Sequence, residues 1–144
     1  MSTDFIIESI DLAENLFRKN YRDFISEKPR TVTVEDEDFK LFSFEKMISL
    51  TNIDGMEVSE ARALRAHAIT LNDIMGSTMY DQKGKQWSTL MLSASITIGK
   101  NSEGDLLFVD RHDGKTLYIF RHDDGGLFKT KMTLHKLIKA YSAE

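Results

Sequence analysis

From Gln86 onward the chain is a series of short apolar runs, WSTLMLSASITIG, DLLFVD, TLYIF and LFKTKM, divided by KNSEG, RHDG and RHDDGG. Short glycine-bearing gaps between apolar runs are hairpin signals, so this half of the chain predicts an antiparallel meander. The first run reads as one long bent strand or two. Within DLLFVD every residue between the two aspartates is apolar. Side chains alternate across a strand, so Leu106 and Phe108 face one way and Leu107 and Val109 the other. Both faces of the sheet therefore need cover, from helices over at least part of each or from a partner.

The rest of the chain supplies candidates for that cover. Apolar residues at Ile6, Ile10, Ala13, Phe17, Tyr21 and Phe24, widened by Leu16 and Ile25, fall on one helical face and predict a helix over 4–27. Lys28-Pro29 ends it, because proline restricts the residue before it. The β-branched Thr31–Val34 predicts a strand, the acids Glu35 to Asp38 a turn, and Phe39 to Phe42 a second short strand. Ser43 is placed to cap a short helix carrying Phe44, Met47 and Ile48, with Glu45 in its first turn, that stops near TNIDG. Ala61, Leu64, Ala68, Leu71 and Met75 step by three and four, predicting a second long helix over 58–79. Its stripe serves as core or as a dimer seam, core being the simpler reading. Thr133 is placed to cap a last short helix with Leu134, Leu137, Ile138 and Tyr141. At 144 residues this predicts one α+β domain over 1–144: a central, mostly antiparallel sheet with N-terminal, middle and C-terminal helices against it.

Charge narrows the partners. With 19 basic and 23 acidic side chains the net charge is -4, which gives no bulk attraction for nucleic acid or anionic lipid. There is no cysteine, hence no disulfide, thiolate metal site or cysteine nucleophile. No run approaches the ~18 apolar residues of a membrane span, and the first residues carry acids where a secretory signal carries bases. The expectation is a cytoplasmic protein.

The string Arg-His-Asp occurs twice, at 111–113 and 121–123. If KTLYIF is a strand, His112 and His122 lie at its opposite ends, roughly 30 Å apart. A metal holds its ligands within about 2–2.6 Å, so the two copies cannot share one ion. Asp and Gly then make hairpin turns, and Arg and His face water. The run Glu35, Asp36, Glu37, Asp38 lacks the spaced carboxylates and glycine of a calcium loop and reads as a solvated turn, or as a contact for a basic partner. Gly99 and Gly104 bracket KNSE without the Gly-Lys-Ser/Thr ending or following helix of a phosphate loop. His67 beside its alanine stripe reads as a satisfied or solvent-facing histidine, and Trp87 as a core anchor or a binding hot spot. No catalytic set, metal site or cofactor is assembled from these residues.

One resemblance covers most of the chain outside 52–86. The order Ile98-Gly99, a polar loop with Asn101, Gly104-Asp105, the apolar Leu106 to Asp110, the Asp113-Gly114 turn, the aromatic Tyr118 to Phe120 and the helix from Thr133 resembles the core of the SUKH superfamily. That group holds fungal glucan-synthesis regulators, Syd-type proteins and bacterial immunity proteins. LFRKNYRDFI, with Leu16, Tyr21 and Phe24, is similar to the family's leucine-then-tyrosine helix, and LFSFEKMISLT resembles its strand-into-helix segment. The usual proline before the tyrosine segment is absent, and the helix predicted over 58–79 is longer than the typical connection. The resemblance implies a non-catalytic protein–protein interaction module in which Tyr21, Ile98, Gly99, Gly104 and Asp105 serve the fold. It also implies a cognate toxin as partner, or alternatively the role of a regulatory adaptor; a metal-dependent enzyme built on Asp110, His112 and Asp113 is the remaining reading. For a basic toxin domain the partner-binding candidates are Glu35, Asp36, Glu37, Asp38, Asp110, Asp113, Asp123 and Asp124, on a monomer or weak dimer.

Overall fold

The computed structural model describes residues 24–25, 30–53, 55–67, 78–88, 91–92, 95–110, 115–123 and 126–141. The fold is α+β, built on a curled antiparallel six-stranded sheet. Strands β1 (Thr31–Val34) and β2 (Glu37–Leu41) form a hairpin. The helix α1 (Phe44–Ile48) follows, then a second hairpin of β3 (Leu50–Ile53) and β4 (Met56–Ser59). A 3-10 turn at Glu60–Arg62 leads into helical residues 63–67. A small ribbon pairs β5 (Thr78–Tyr80) with β6 (Gln86–Ser88). The meander then runs through β7 (Ile96–Lys100), β8 (Leu106–Val109), β9 (Thr116–Phe120) and β10 (Leu127–Thr133) into α2 (Leu134–Tyr141). Strand order in the main sheet is β1-β2-β7-β8-β9-β10.

The two-faced burial expected of the meander is present. Leu107, Val109, Leu117 and Ile119 join Val32, Phe39, Ile96 and Ile98 in one cluster, covered by Leu134 and Leu137 of α2 and by the helical pair Phe24 and Ile25. Leu106, Phe108, Tyr118 and Phe120 point into a second cluster, covered by Ala63, Leu64, Met79 and Trp87. Trp87 is fully buried and meets Phe108 and Tyr118 edge-on at 5.9 and 4.9 Å between centroids, so it is a core anchor rather than a surface hot spot. The His67 ring lies 5.1 Å from that of Phe120 at the margin of the same cluster.

The capping residues act as the sequence suggests. Ser43 Oγ accepts the Lys46 N–H, and Thr133 Oγ1 accepts the Lys136 N–H. Three expectations change. The short helix does not stop near TNIDG but at Ser49, and Leu50–Ile53 pairs with Met56–Ser59 around the Asp54-Gly55 turn. The helix expected over 58–79 does not run that way either: Val58 and Ser59 are extended, and Met79 sits in β5. The β-branched Val58 is fully buried in a strand-paired position, which outweighs the helical periodicity downstream of it. Third, the acidic turn is only two residues wide, since Glu37 and Asp38 already belong to β2. The predicted N-terminal helix up to Phe24, with Tyr21, lies outside the described residues, as do 68–77. No helix among the described residues is long and apolar enough to cross a membrane.

Two backbone positions hold the first hairpin in place. Glu35 and Asp36 form its turn with φ of 51° and 64°, the left-handed pair that matches strand twist but disfavours side chains. At the other position, the register slips between Thr97 and Gly99, leaving Ile98 as the extra residue of a bulge whose carbonyl accepts the Phe42 N–H at 2.8 Å. Gly99 then lies directly under β2, and a Cβ there would stand 2.6 Å from the Lys40 carbonyl oxygen. The glycine of the Ile-Gly pair is thus required by strand-to-strand contact. Opposite effects on urea midpoints follow. Gly99→Ala is expected to destabilise by about 2 kcal/mol through backbone overpacking, and Asp36→Gly to stabilise by about 1 kcal/mol by relieving the left-handed cost.

Candidate functional site

The strand directions place three turns at one end of the sheet: Glu35-Asp36, the loop 101–105, and the turn that begins at Arg121. One cluster joins them. The Arg121 guanidinium makes a two-pronged pair with Glu37, Nη1 to Oε1 at 2.7 Å and Nη2 to Oε2 at 2.5 Å. The same Nη1 donates to Asp105 Oδ2 at 2.9 Å. Asn101 Nδ2 donates to both carboxylates, each at 3.2 Å, while Asn101 Oδ1 accepts the N–H groups of Glu103 and Asp105. The other Asp105 oxygen accepts the His122 N–H at 3.2 Å and lies 2.9 Å from His122 Nδ1. His122 Nε2 in turn meets Asp123 at 2.9 Å.

The sequence builds this cluster for local reasons. Asn101 folds its own loop by accepting backbone N–H groups, and Gly104 supplies the φ of +91° that brings Asp105 back to β8. A buried carboxylate needs partners, and Asp105, 3% exposed, has them on every side. Burial works against its ionisation, but the bonds from His122, Asn101 and Arg121 outweigh burial and lower its pKa to about 2. The Arg121 hydrogen bonds likewise hold Glu37 below its ordinary range. In return Glu37 first, and Asp105 after it, raise the already high Arg121 value. The bond to Asp105 raises His122, with Asp123 adding to it. Both ring nitrogens of this cationic histidine are then occupied by carboxylates, which leaves no lone pair for proton abstraction.

A second ionic cluster sits at the other end of β9. Asp110 is 3% exposed, and its Oδ2 takes Lys85 Nζ at 2.9 Å. The same ammonium lies 4.7 Å from the Trp87 ring centroid. Beside it the buried Asp81 accepts the Lys83 and Lys85 N–H groups, the Trp87 indole N–H and the Tyr118 hydroxyl. Burial opposes ionisation of Asp81, and these bonds, the backbone ones foremost, overcome it. This cluster fastens the β5–β6 turn onto the aromatic core.

The sequence-derived candidates therefore separate. Asp36 and Asp123 are exposed at the three-turn end. Asp38 is exposed and accepts the Thr33 hydroxyl, Glu37 is held by Arg121, and Glu35 turns away to accept the Lys131 N–H at 2.9 Å. Asp110 is removed from any contact surface by burial under Lys85. Asp113, Asp124 and His112 lie outside the described residues. Asp105 accepts a backbone N–H across loops as expected, although from the neighbouring turn rather than its own. Arg121 and His122 do not simply face water: they are the donors of the cluster. Sequence reasoning missed Asn101, Glu103 and Arg121, whose partners are distant in sequence. Among the described residues no three His, Cys, Asp or Glu are arranged to hold a metal ion. Compared with known proteins, the chain matches no family model, no curated protein and no solved structure.

Arg121→Gln removes a charged partner from a buried carboxylate and is expected to cost about 2 kcal/mol, read by urea unfolding at neutral pH. A pH series separates the two anchors. Asp105 is stabilising above its ordinary 3.8, and that contribution is lost as pH falls through about 2. His122, whose value is raised, stabilises fully below its ordinary 6.5 and loses the effect as pH rises through its folded value. The stability gap between the native chain and His122→Gln is therefore expected to be widest below pH 6.5 and to close above it; a gap that widens with pH is the contrary result.

Proposed function

We propose that the chain is a non-catalytic protein–protein interaction module, similar to SUKH immunity proteins, that docks a basic partner on the acidic end of its sheet. The observation carrying this reading is the convergence of Asp36, Glu103 and Asp123, all exposed, on three turns locked together by the Arg121 cluster. A fixed set of carboxylates on rigidly joined turns keeps its spacing when a partner arrives, so little ordering entropy is lost on binding. The cluster beneath adds two carboxylates against one guanidinium, leaving this end negative. Such a surface speeds encounter with a basic patch more than it deepens affinity. The resemblance in the order Ile98-Gly99, Gly104-Asp105 and the aromatic strand supports the immunity role over that of a regulatory adaptor only together with a toxin gene beside this one.

The test is co-purification with each basic protein encoded next to this chain, followed by stopped-flow association. One such protein is expected to form a complex whose association rate falls with added salt. Reversing Asp36, Glu103 and Asp123 to lysine should slow association by about tenfold or more. Absence of a complex with every basic neighbour, or an association rate indifferent to the triple reversal, would count against the reading.

A further inference from the structure

The β10 edge of the sheet is closed by side chains rather than by a strand. Along its inner side β10 pairs with β9. On its outer side, Asp81 makes a single parallel bridge with Leu127, after which the chain turns away through Lys83 and Gly84. Gln82 continues the pairing with its side chain alone. Its Nε2 donates to the Lys129 carbonyl at 2.7 Å, and its Oε1 accepts the Lys129 N–H at 2.7 Å. A carboxamide offers one donor edge and one acceptor as a peptide unit does, so Gln82 stands where a neighbouring strand would. Farther along β10, Glu35 Oε1 accepts the Lys131 N–H.

Between these two side chains lies an open groove of about 460 Å³ over β10, a volume within the ~300–1,000 Å³ span of ligand clefts. Phe128 and Met132, both half-buried, give it an apolar floor, and the exposed Lys83, Lys129 and Lys131 line it against one carboxylate, Glu35. The local charge is therefore opposite to that of the chain as a whole.

We propose that this edge takes up an extended acidic segment of another protein as an added strand, which displaces the Gln82 and Glu35 side chains from Lys129 and Lys131. The main-chain groups of those two lysines supply affinity, and the three ammonium groups select carboxylates on the incoming segment. A second copy of β10 is the wrong occupant, because two lysine-bearing edges brought together repel. The surface uses none of Asp36, Glu103 or Asp123 and stands independently of the acidic end.

The experiment uses the full chain and a labelled, end-capped peptide of alternating Glu and Val. Its comparators carry Lys in place of Glu, or Pro in place of alternate residues. The Glu-Val peptide is expected to raise fluorescence anisotropy and to shift the Lys129 and Lys131 amide resonances. The Lys and Pro peptides are expected to bind about tenfold more weakly or less. Lys129→Glu with Lys131→Glu should weaken the Glu-Val peptide by about tenfold. Gln82→Ala, its fold checked by circular dichroism, should tighten binding severalfold by removing the competing side chain. Equal binding of all three peptides overturns the proposal, as do Lys129 and Lys131 resonances that stay fixed at saturating Glu-Val peptide. So does a concentration-dependent dimer that forms through β10 without peptide.

Discussion

The arrangement of this molecule depends on strands β8 and β9 being apolar on both faces. A half-solvated sheet needs one cover; this one needs two, and the long connection between β2 and β7 supplies much of the second. Trp87 and Met79, from a ribbon of only three-residue strands, and Ala63 and Leu64, from a single helical segment, close the Phe108–Tyr118 side. α2 and the helical Phe24-Ile25 close the other. Burial on the order of 25 cal/mol per Å² of apolar area makes these contacts the main source of stability. The polar groups on the page are consistent with that ranking, because each carboxylate carried inward, Asp81, Asp105 and Asp110, is fully partnered rather than merely tolerated.

Much of this could be read from the residues. The meander, its alternation, the cap residues Ser43 and Thr133 and the turn at Glu35-Asp36 all follow from local pattern, since a strand's period and a hairpin's turn are set within a few residues. The β3–β4 hairpin was legible in principle, for Asp54-Gly55 sits between LTNI and MEVS. It was obscured because Leu50 is 42% exposed, so the apolar residues around that turn do not mark one buried face. The β5–β6 ribbon is hidden by its brevity and by the helical spacing that runs toward it from Ala61.

The candidate site was less legible, and the reason is topological. Glu37, Asn101, Asp105 and Arg121 come from β2, the β7–β8 loop and the end of β9. Only the pairing of β2 with β7 brings Glu37 within reach of Arg121. Individually each residue looks like ordinary turn or surface chemistry. The doubled Arg-His-Asp string illustrates the point: its second copy earns its place through Asp105, sixteen positions upstream of Arg121, and not through the first copy.

The strand order β1-β2-β7 has a kinetic side as well. Pairing β7 with β8, β8 with β9 and β9 with β10 closes loops of only a few residues. Bringing Lys40 to Lys100 closes one of about sixty, at an entropic cost that grows with the logarithm of that length. That single long closure raises the contact order of an otherwise local sheet, and long-range pairings of this kind slow folding. The slow step of assembly therefore falls where the bulge at Ile98 and the bare backbone of Gly99 receive the first hairpin. The residues that fit the hairpin in the finished fold are also those at which the search of the chain for itself ends.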